Sequence, residues 1–195
     1  MTNPFDEQAN HFDSDQQLYL ANKYLKAISQ SLGDQHFDTL LDYGGGTGNL
    51  GLNLLDYADQ VVIADISQPM LEKAQEKIHA RQLKKAQTLL LTEEPDLNLN
   101  YDLLILSMVL HHVDQDIDLL SKLVDPIPAG GRLIIIDFYH DPQNPDKKGY
   151  HPEDLILQME TKHLQLDQLQ TVAKGEVLFM RPTGSCFMIA FTKRL

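Results

Sequence analysis

LLDYGGGTGNLG, residues 40–51, is the most informative stretch of the chain, because in it an apolar run passes directly into a glycine-rich turn. This order is typical of a parallel strand that leads into a helix. Glycine loops at such junctions commonly hold an anion through backbone N–H groups and the helix dipole. Asp42 stands two residues before the first glycine, however, and its carboxylate would repel a phosphate. The loop is therefore either a tight turn or a site for a ligand that is not a phosphate.

Three glycine patterns compete for this loop. The dinucleotide fingerprint GxGxxG occurs at 46–51, but two further glycines separate it from the strand, so its register is wrong. A P-loop requires a Gly-Lys-Ser/Thr ending, and the stretch has no lysine or arginine. The pattern Asp-x-Gly-x-Gly-x-Gly is met in full by Asp42, Gly44, Gly46 and Gly48. It favours a cationic ligand without phosphate, such as S-adenosylmethionine, whereas the alternative is a structural turn in which Asp42 caps local N–H groups.

Apolar segments alternate with helical patterns along the rest of the chain. Strands are predicted at 39–43, 60–65, 86–91, 101–108 and 132–138, and two more within 176–193, joined by a Pro/Gly turn. Helices are predicted at 18–32, 49–55, 67–80, 116–124 and 152–163. This alternation predicts a doubly wound α/β fold, with helices on both faces of a parallel sheet. The final hairpin requires at least one antiparallel strand.

Composition limits the classes of protein. With 195 residues, 43% of them hydrophobic, the chain suits one domain with a substantial core. A net charge of -12 disfavours binding to nucleic acid and to anionic membranes. No segment resembles a membrane span or a signal peptide. Cys186 is the sole cysteine, so no internal disulfide forms, and we expect a cytoplasmic protein.

Asp65 ends the second predicted strand. An acid about 20 residues beyond a glycine loop accepts hydrogen bonds from ribose hydroxyls, for NAD and S-adenosylmethionine alike. Ile66 is then expected to pack on adenine. The competing role of Asp65, a helix cap, is less favoured because Ser67 is better placed for it.

These motifs resemble the class I S-adenosylmethionine-dependent methyltransferases, particularly the methyltransferase type 11 group. The likeness rests on LLDYGGGTG, VVIADISQPMLEKA and YDLLILSMVLHHV followed by IPAGGRLIIID, within about Phe37 to Phe138. It implies a seven-stranded, mostly parallel Rossmann-like sheet with an antiparallel C-terminal hairpin, as a single domain over 1–195. It implies methyl transfer to a small-molecule acceptor with S-adenosylmethionine as cofactor. The cofactor-binding residues that it implies are Asp42, Tyr43, Gly44, Gly45, Gly46, Gly48, Asp65, Ile66, Met70, Thr92, Glu93 and Ser107.

Two other enzyme or binding classes stay open beside this one. A nicotinamide-dependent oxidoreductase is disfavoured by Asp42 and by the glycine register. A non-catalytic domain that binds S-adenosylmethionine is the non-enzymatic alternative. The acceptor atom and the oligomeric state are not readable from the sequence.

His111 and His112 do not predict a metal site, because adjacent residues point in different directions and lack the His-x-x-x-His spacing. The family often has this pair, with packing and site-shaping roles, and a general base at one of them is the alternative. His140, Tyr150 and His151 are expected at the mouth of the site or in a solvated loop.

The first fourteen residues precede the first helical pattern and carry Phe5 and Phe12 among polar residues. In the family such a segment often folds over the cofactor. Residues 1–14 are therefore a candidate N-terminal lid, and the alternative is a frayed terminus.

Overall fold

The computed structural model describes residues 5–92, 97, 99–178 and 181–195, without the side chains of 176–178 and 181–183. Its helices and strands fall into two compact units, Met1–Tyr101 and Asp102–Leu195.

The first unit is built on three parallel strands. In chain order its elements are α1 (Asp15–Leu32), β1 (Phe37–Tyr43), β2 (Ala58–Asp65), α2 (Gln68–Ala80) and β3 (Ala86–Leu90). The strand order is β3-β2-β1. The last four residues of β1 and the last five of β2 are buried, as near-continuous apolar runs in parallel strands require. The carboxyl ends of β1 and β2 therefore lie side by side, with Asp42 opposite Ile63 and Tyr43 opposite Ala64.

The helix predicted at 49–55 is wrong. Two short 3-10 helices, Gly51–Asn53 and Leu55–Tyr57, take its place. The Gly51 N–H donates to the Asp42 carboxylate at 2.9 Å instead of to a backbone carbonyl four residues earlier. Glycine and asparagine also favour helix poorly, so the apolar spacing alone does not sustain a regular α-helix here.

The second unit contains four strands in the order β4-β5-β7-β6. Its elements are β4 (Leu103–Ser107), α3 (Asp116–Val124), β5 (Arg132–Phe138), α4 (Pro152–Glu160), β6 (Leu164–Leu178) and β7 (Arg181–Lys193). Strand β5 pairs parallel with β4 and is buried along its whole length. Strand β7 is antiparallel to both β5 and β6.

The C-terminal hairpin is present, but its predicted bounds are wrong. Strand β6 begins at Leu164 rather than near 176, and Pro182 and Gly184 lie inside β7 instead of in the turn. Pairing between β6 and β7 shifts register at four places. Each shift interrupts the alternation of apolar and polar residues that marks a strand, which hides most of β6 in the sequence.

The predicted fold class is confirmed: seven strands form a mostly parallel sheet, antiparallel at the C-terminal strands, with helices beside it. That residues 1–195 act as one domain stays a prediction. None of the described helices has both the length and the apolar character needed to cross a membrane.

Candidate functional site

The glycine loop leaves the end of β1 in a conformation that requires glycine. Gly44, Gly46 and Gly48 have φ angles of 71°, 55° and 79°, a region that other residues rarely adopt. Gly45 is constrained by space instead, since a Cβ there would lie 2.8 Å from the Asp42 carboxyl carbon. The loop therefore packs directly on the side chain that precedes it.

The glycine N–H groups of the loop donate hydrogen bonds to acceptors within the chain. Gly44 and Gly45 both donate to the Ala64 carbonyl, at 2.7 and 3.0 Å, and Gly48 donates to the Gly45 carbonyl at 2.9 Å. Gly46 donates to an Asp65 carboxylate oxygen at 2.8 Å. A loop that cradles phosphate needs such N–H groups directed at the ligand. The group beside this loop is instead the Asp65 carboxylate, which suits cations and hydroxyl donors.

Asp42 lies beneath the loop and is only 1% exposed. Its Oδ2 accepts the hydrogen bond from the Gly51 N–H at 2.9 Å, so the capping role that the sequence allowed is present. Burial raises the pKa of Asp42 to about 7, against the opposing effect of the Gly51 bond and with a smaller contribution from the nearby charge of Asp65. Near neutral pH the Asp42 carboxyl group is therefore present in both its protonated and its ionised form.

This raised pKa predicts a stability change that is specific to Asp42. The folded chain binds the proton more tightly than the unfolded chain, so the ionised group costs stability above about pH 7. The cost disappears as the pH falls from about 7 to about 4, and the pKa difference corresponds to about 4 kcal/mol. Asp42→Asn keeps an acceptor for Gly51 and does not ionise.

Urea unfolding of both proteins between about pH 8 and pH 4 measures this change. On acidification, the wild type should gain stability relative to Asp42→Asn by an amount of this order. A difference between the two proteins that does not vary with pH would contradict the assignment.

Asp65 joins the glycine loop to the start of α2. Its Oδ2 accepts from the Gly46 N–H at 2.8 Å and its Oδ1 from the Ser67 N–H at 2.9 Å. The side chain of Ser67 accepts from the Met70 N–H at 3.4 Å, as predicted for the N-cap of this helix. Burial raises the pKa of Asp65, although the backbone N–H bonds oppose that effect. A carboxylate oxygen accepts more than one hydrogen bond, so both oxygens retain capacity for a ligand.

Apolar side chains of different exposure surround Asp65. Ile66 is 50% exposed, which leaves a free apolar surface beside the carboxylate. Met70 and Tyr43 are buried, and the Met70 sulfur lies 3.9 Å from where a Cβ on Gly46 would stand. After β3, the Leu91 N–H donates to the Asp65 carbonyl at 2.8 Å, so exposed Thr92 follows close to the same strand end. Glu93 lies outside the described residues.

The N-terminal segment, defined here as Phe5–Asp13, contacts both the glycine loop and α2. Asp13 accepts hydrogen bonds from the Thr47 hydroxyl at 2.6 Å and the Asn49 amide at 2.8 Å, and it pairs with Lys77 at 2.7 Å. Although partial burial works in the opposite direction, these contacts lower the pKa of Asp13.

Two further contacts hold the segment on the first unit. Asp6 accepts from the Ser67 hydroxyl at 2.7 Å. The Phe12 ring lies 3.4 Å from where a Cβ on Gly46 would stand. The segment therefore lies against Gly46, one of the residues that the sequence assigns to the cofactor, and against neighbouring residues of the glycine loop and α2.

The second unit brings polar residues to the ends of β4 and β5. Ser107 ends β4 half-buried, and Met108 follows with a φ of 61°, which is unusual for a residue with a side chain. The short 3-10 helix Leu110–His112 comes next. His111 Nδ1 lies 2.9 Å from Oδ1 of Asp137, which is the penultimate residue of the buried strand β5.

The segment after β5 folds back onto the end of that strand. The His140 N–H donates to the Tyr150 carbonyl at 2.8 Å, and the Tyr150 N–H donates to the Phe138 carbonyl at 2.9 Å. The Tyr150 hydroxyl donates to Asp116 at 2.6 Å. Lys148 pairs with the same carboxylate at 2.9 Å. Burial, the bond to Asp116 and the charge of Asp137 all raise the pKa of Tyr150, so its hydroxyl stays protonated.

The sequence interpretation missed Asp13, Lys77 and Asp137. A signal existed for two of them: Asp137 interrupts the apolar strand RLIIIDF, and Lys77 falls on the buried face of α2 at helical spacing from Met70 and Ala74. Asp13 had no such signal, because its partners are distant in the sequence.

In the part of the chain that the structure describes, no group of three or more His, Cys, Asp or Glu side chains is placed to hold a metal ion. The Cys186 side chain is buried.

Comparison with known proteins agrees with the fold. Residues 41–133 match the family model described as a methyltransferase domain. An uncharacterized methyltransferase of Schizosaccharomyces pombe is 25% identical over 196 residues, an alignment that covers 88% of this chain and 66% of the relative. The chain thus spans slightly less than two thirds of the length of this curated relative.

Two solved structures share the fold over nearly the whole chain. A SAM dependent methyltransferase from Aquifex aeolicus superposes with a TM-score of 0.73 at 19% identity, covering 98% of each chain. The N-methyltransferase NodS from Bradyrhizobium japonicum, solved with S-adenosyl-L-homocysteine, has a TM-score of 0.76 at 13% identity, covering 98% of this chain and 99% of NodS. The family match and the curated relative confirm the resemblance to class I methyltransferases seen in the sequence, and the two structures show that the fold is shared.

Proposed function

We propose that this chain transfers a methyl group from S-adenosylmethionine to a small-molecule acceptor. The observation that carries the proposal is the glycine loop, whose N–H groups are donated to Ala64, Asp65 and Gly45 within the chain. A dinucleotide would need those groups for its phosphates, so the nicotinamide-dependent alternative is disfavoured. A ligand that carries an ammonium, a sulfonium and two ribose hydroxyls is compatible with the Asp65 carboxylate beside this loop.

Different residues of the first unit would contact different parts of the cofactor. The loop that follows Asp42 would accept the methionine part, and Asp65 would accept the ribose hydroxyls. Ile66, with its free apolar surface, would pack on the adenine. Further members of the proposed set are Tyr43, Met70, Thr92, Glu93 and, from the second unit, Ser107.

S-adenosylmethionine supplies a methyl group that its sulfonium charge has already activated. The protein then has to align the acceptor and exclude water, and proximity alone accounts for a large part of such catalysis. The acidic chain favours a small acceptor over nucleic acid. A cytoplasmic location is part of the same proposal. A non-catalytic role as a cofactor-binding module is the second candidate.

Calorimetry with S-adenosylhomocysteine and NAD tests the proposal. We expect S-adenosylhomocysteine to bind with a Kd on the order of micromolar, about -8 kcal/mol, and NAD to bind far more weakly. Tighter binding of NAD would overturn the assignment. A screen of small acceptors that detects release of S-adenosylhomocysteine from S-adenosylmethionine then separates an enzyme from a binding module.

A further inference from the structure

Lys77 of α2 contacts the glycine loop through three hydrogen bonds. Its Nζ donates to the Thr47 carbonyl at 2.9 Å, to the Thr47 hydroxyl at 3.0 Å and to the Asn49 side-chain oxygen at 2.8 Å. The same ammonium pairs with Asp13 at 2.7 Å. An ammonium group has only three N–H donors, and these oxygens already surround it. Lys77 is therefore suited to hold the loop rather than to bind a ligand itself.

The contacts of Lys77 extend a line of contacts between α2 and the loop. A Cβ on Gly46 would lie 3.9 Å from the Met70 sulfur, and a Cβ on Gly48 would lie 3.5 Å from the Ala74 Cβ. Residues 70, 74 and 77 share one face of the helix, because side chains three or four positions apart lie one above the other. Lys77 thus adds polar contacts to a helix face on which the loop already packs.

Thr47 makes the ammonium difficult to replace. This residue is fully buried, and its hydroxyl donates to Asp13 while it accepts from Lys77. A buried polar group that loses its partner is destabilised unless water reaches it. Gly46 and Gly48 flank Thr47, and glycine loses more conformational freedom on ordering than other residues. Without the ammonium, a loop that opens and admits water is therefore favoured.

We propose that Lys77 is a positioning residue of the glycine loop. Its ammonium holds the turn from Thr47 to Asn49 in the conformation that receives the methionine part of S-adenosylmethionine, so the inference rests on the proposed function. Lys77 acts on the loop directly, and through Asp13 it also binds the N-terminal segment. The Asp13 carboxylate offsets the positive charge, which would otherwise oppose a cationic ligand at the loop.

Amide hydrogen exchange of the full chain without cofactor tests the positioning itself. The Gly48 N–H, which donates to the Gly45 carbonyl at 2.9 Å, reports on the closed loop. Lys77→Met keeps the length of the side chain and removes its donors. We expect this variant to exchange the Gly48 N–H roughly 10-fold faster, because local opening of the loop becomes easier. A general loss of stability would instead accelerate exchange in strand β2 as well.

Two further variants complete the exchange experiment. Lys73→Met is the matched control, since Lys73 lies on the same helix and pairs with Glu76 at 3.3 Å, and it should leave the Gly48 rate unchanged. Asn49→Ala removes one acceptor of Lys77 at a partly exposed position, where folding should persist. It should accelerate Gly48 exchange in the same direction, and it tests the proposal even if Lys77→Met does not fold.

Calorimetry with S-adenosylhomocysteine separates the loop contacts of Lys77 from its ion pair with Asp13. We expect Lys77→Met to raise Kd by about 3- to 30-fold, a range reduced for the partial exposure of the ammonium. In an Asp13→Ala background the same substitution should raise Kd further, because the bonds to Thr47 and Asn49 are still lost. Lys73→Met should leave Kd unchanged.

Two results would overturn the proposal. One is an unchanged Gly48 exchange rate in a folded Lys77→Met protein. The other is an unchanged Kd when Lys77→Met is added to Asp13→Ala, since Lys77 would then act only through the N-terminal segment. Failure of the proposed function is distinct, because it would appear as absent binding of S-adenosylhomocysteine by the wild type, whatever the exchange rate of Gly48.

Discussion

Replacement of Asp65 by alanine is expected to weaken binding of S-adenosylhomocysteine by about 10- to 150-fold. That range corresponds to roughly 1.5–3 kcal/mol, typical of lost hydrogen bonds to a charged group. The carboxylate is also the acceptor for the Gly46 and Ser67 N–H groups, so both donors lose their partner in the variant. The glycine loop and the start of α2 then lose the group that connects them. Binding should therefore fall both through the lost ribose contact and through a loosened loop.

The same contacts predict a loss of stability. A buried N–H left without an acceptor costs about 1–3 kcal/mol, and the alanine variant leaves two such groups. Titration should thus be run below the unfolding temperature of the variant, with circular dichroism as the check on folding.

Asp65→Asn separates the two effects in part, because it keeps an acceptor oxygen for one donor. Asp59→Ala is the matched control, since it removes an exposed carboxylate from the same strand, β2. Unchanged affinity in a folded Asp65→Ala protein would reject the ribose role.

Sequence reasoning predicted the fold well where burial controls the pattern. Strands β1, β2 and β5 read as apolar runs because parallel strands covered on both sides tolerate few polar residues. Helix α2 was predicted from Ser67 and Pro69, whose capping chemistry is local. The glycine loop was predicted because left-handed backbone at Gly44, Gly46 and Gly48 demands glycine.

Prediction failed where tertiary contacts override local preference. The turns after the glycine loop are 3-10 helices because the Gly51 N–H is taken by Asp42, nine residues earlier. Strand β6 was hidden by its register shifts. The pairing of His111 with Asp137 spans 26 residues, and no spacing rule connects them. Contacts between residues distant in the sequence form only after the strands have paired, so local sequence patterns do not reveal them.

For Asp42, the interpretation of the motif from the sequence was incomplete. The sequence suggested a carboxylate that attracts a cationic ligand across the loop. The structure places the side chain beneath the loop at 1% exposure, bonded to Gly51, with its pKa raised to about 7. Direct contact with a ligand is therefore less important than support of the loop, and any charge effect of Asp42 is only partial at neutral pH.

Removal of residues 1–13 is expected to speed dissociation of S-adenosylhomocysteine by roughly 10- to 100-fold, or about 1.4–2.8 kcal/mol. The expectation treats the N-terminal segment as a lid. Asp13 binds Thr47, Asn49 and Lys77, and so ties the segment to both the glycine loop and α2. The truncated chain keeps Ser14, whose side chain accepts from the Gln17 N–H and caps α1, so the fold should persist. Stopped-flow displacement of bound S-adenosylhomocysteine measures the rate.

Point variants distinguish the effect of the Asp13 contacts from the effect of the whole N-terminal segment. Asp13→Ala removes the three contacts and should give part of the effect of truncation. Glu7→Ala removes an exposed charge from the same segment and should give none of it. The Asp13–Lys77 pair is partly exposed, so added salt should weaken it and bring the wild type closer to Asp13→Ala.

The direction of the change identifies what the segment does. The Phe12 ring lies against Gly46, and Asp6 binds Ser67 beside Asp65, so the segment lies on the proposed ribose and methionine positions. A lid that closes over the cofactor slows its release, and truncation then raises the dissociation rate. A segment that obstructs the cofactor slows its entry instead, so truncation would raise the association rate and the affinity. A frayed terminus changes neither rate, and equal rates in the truncated and full chains would reject the lid, because the contacts of Asp13 would then add nothing to cofactor retention.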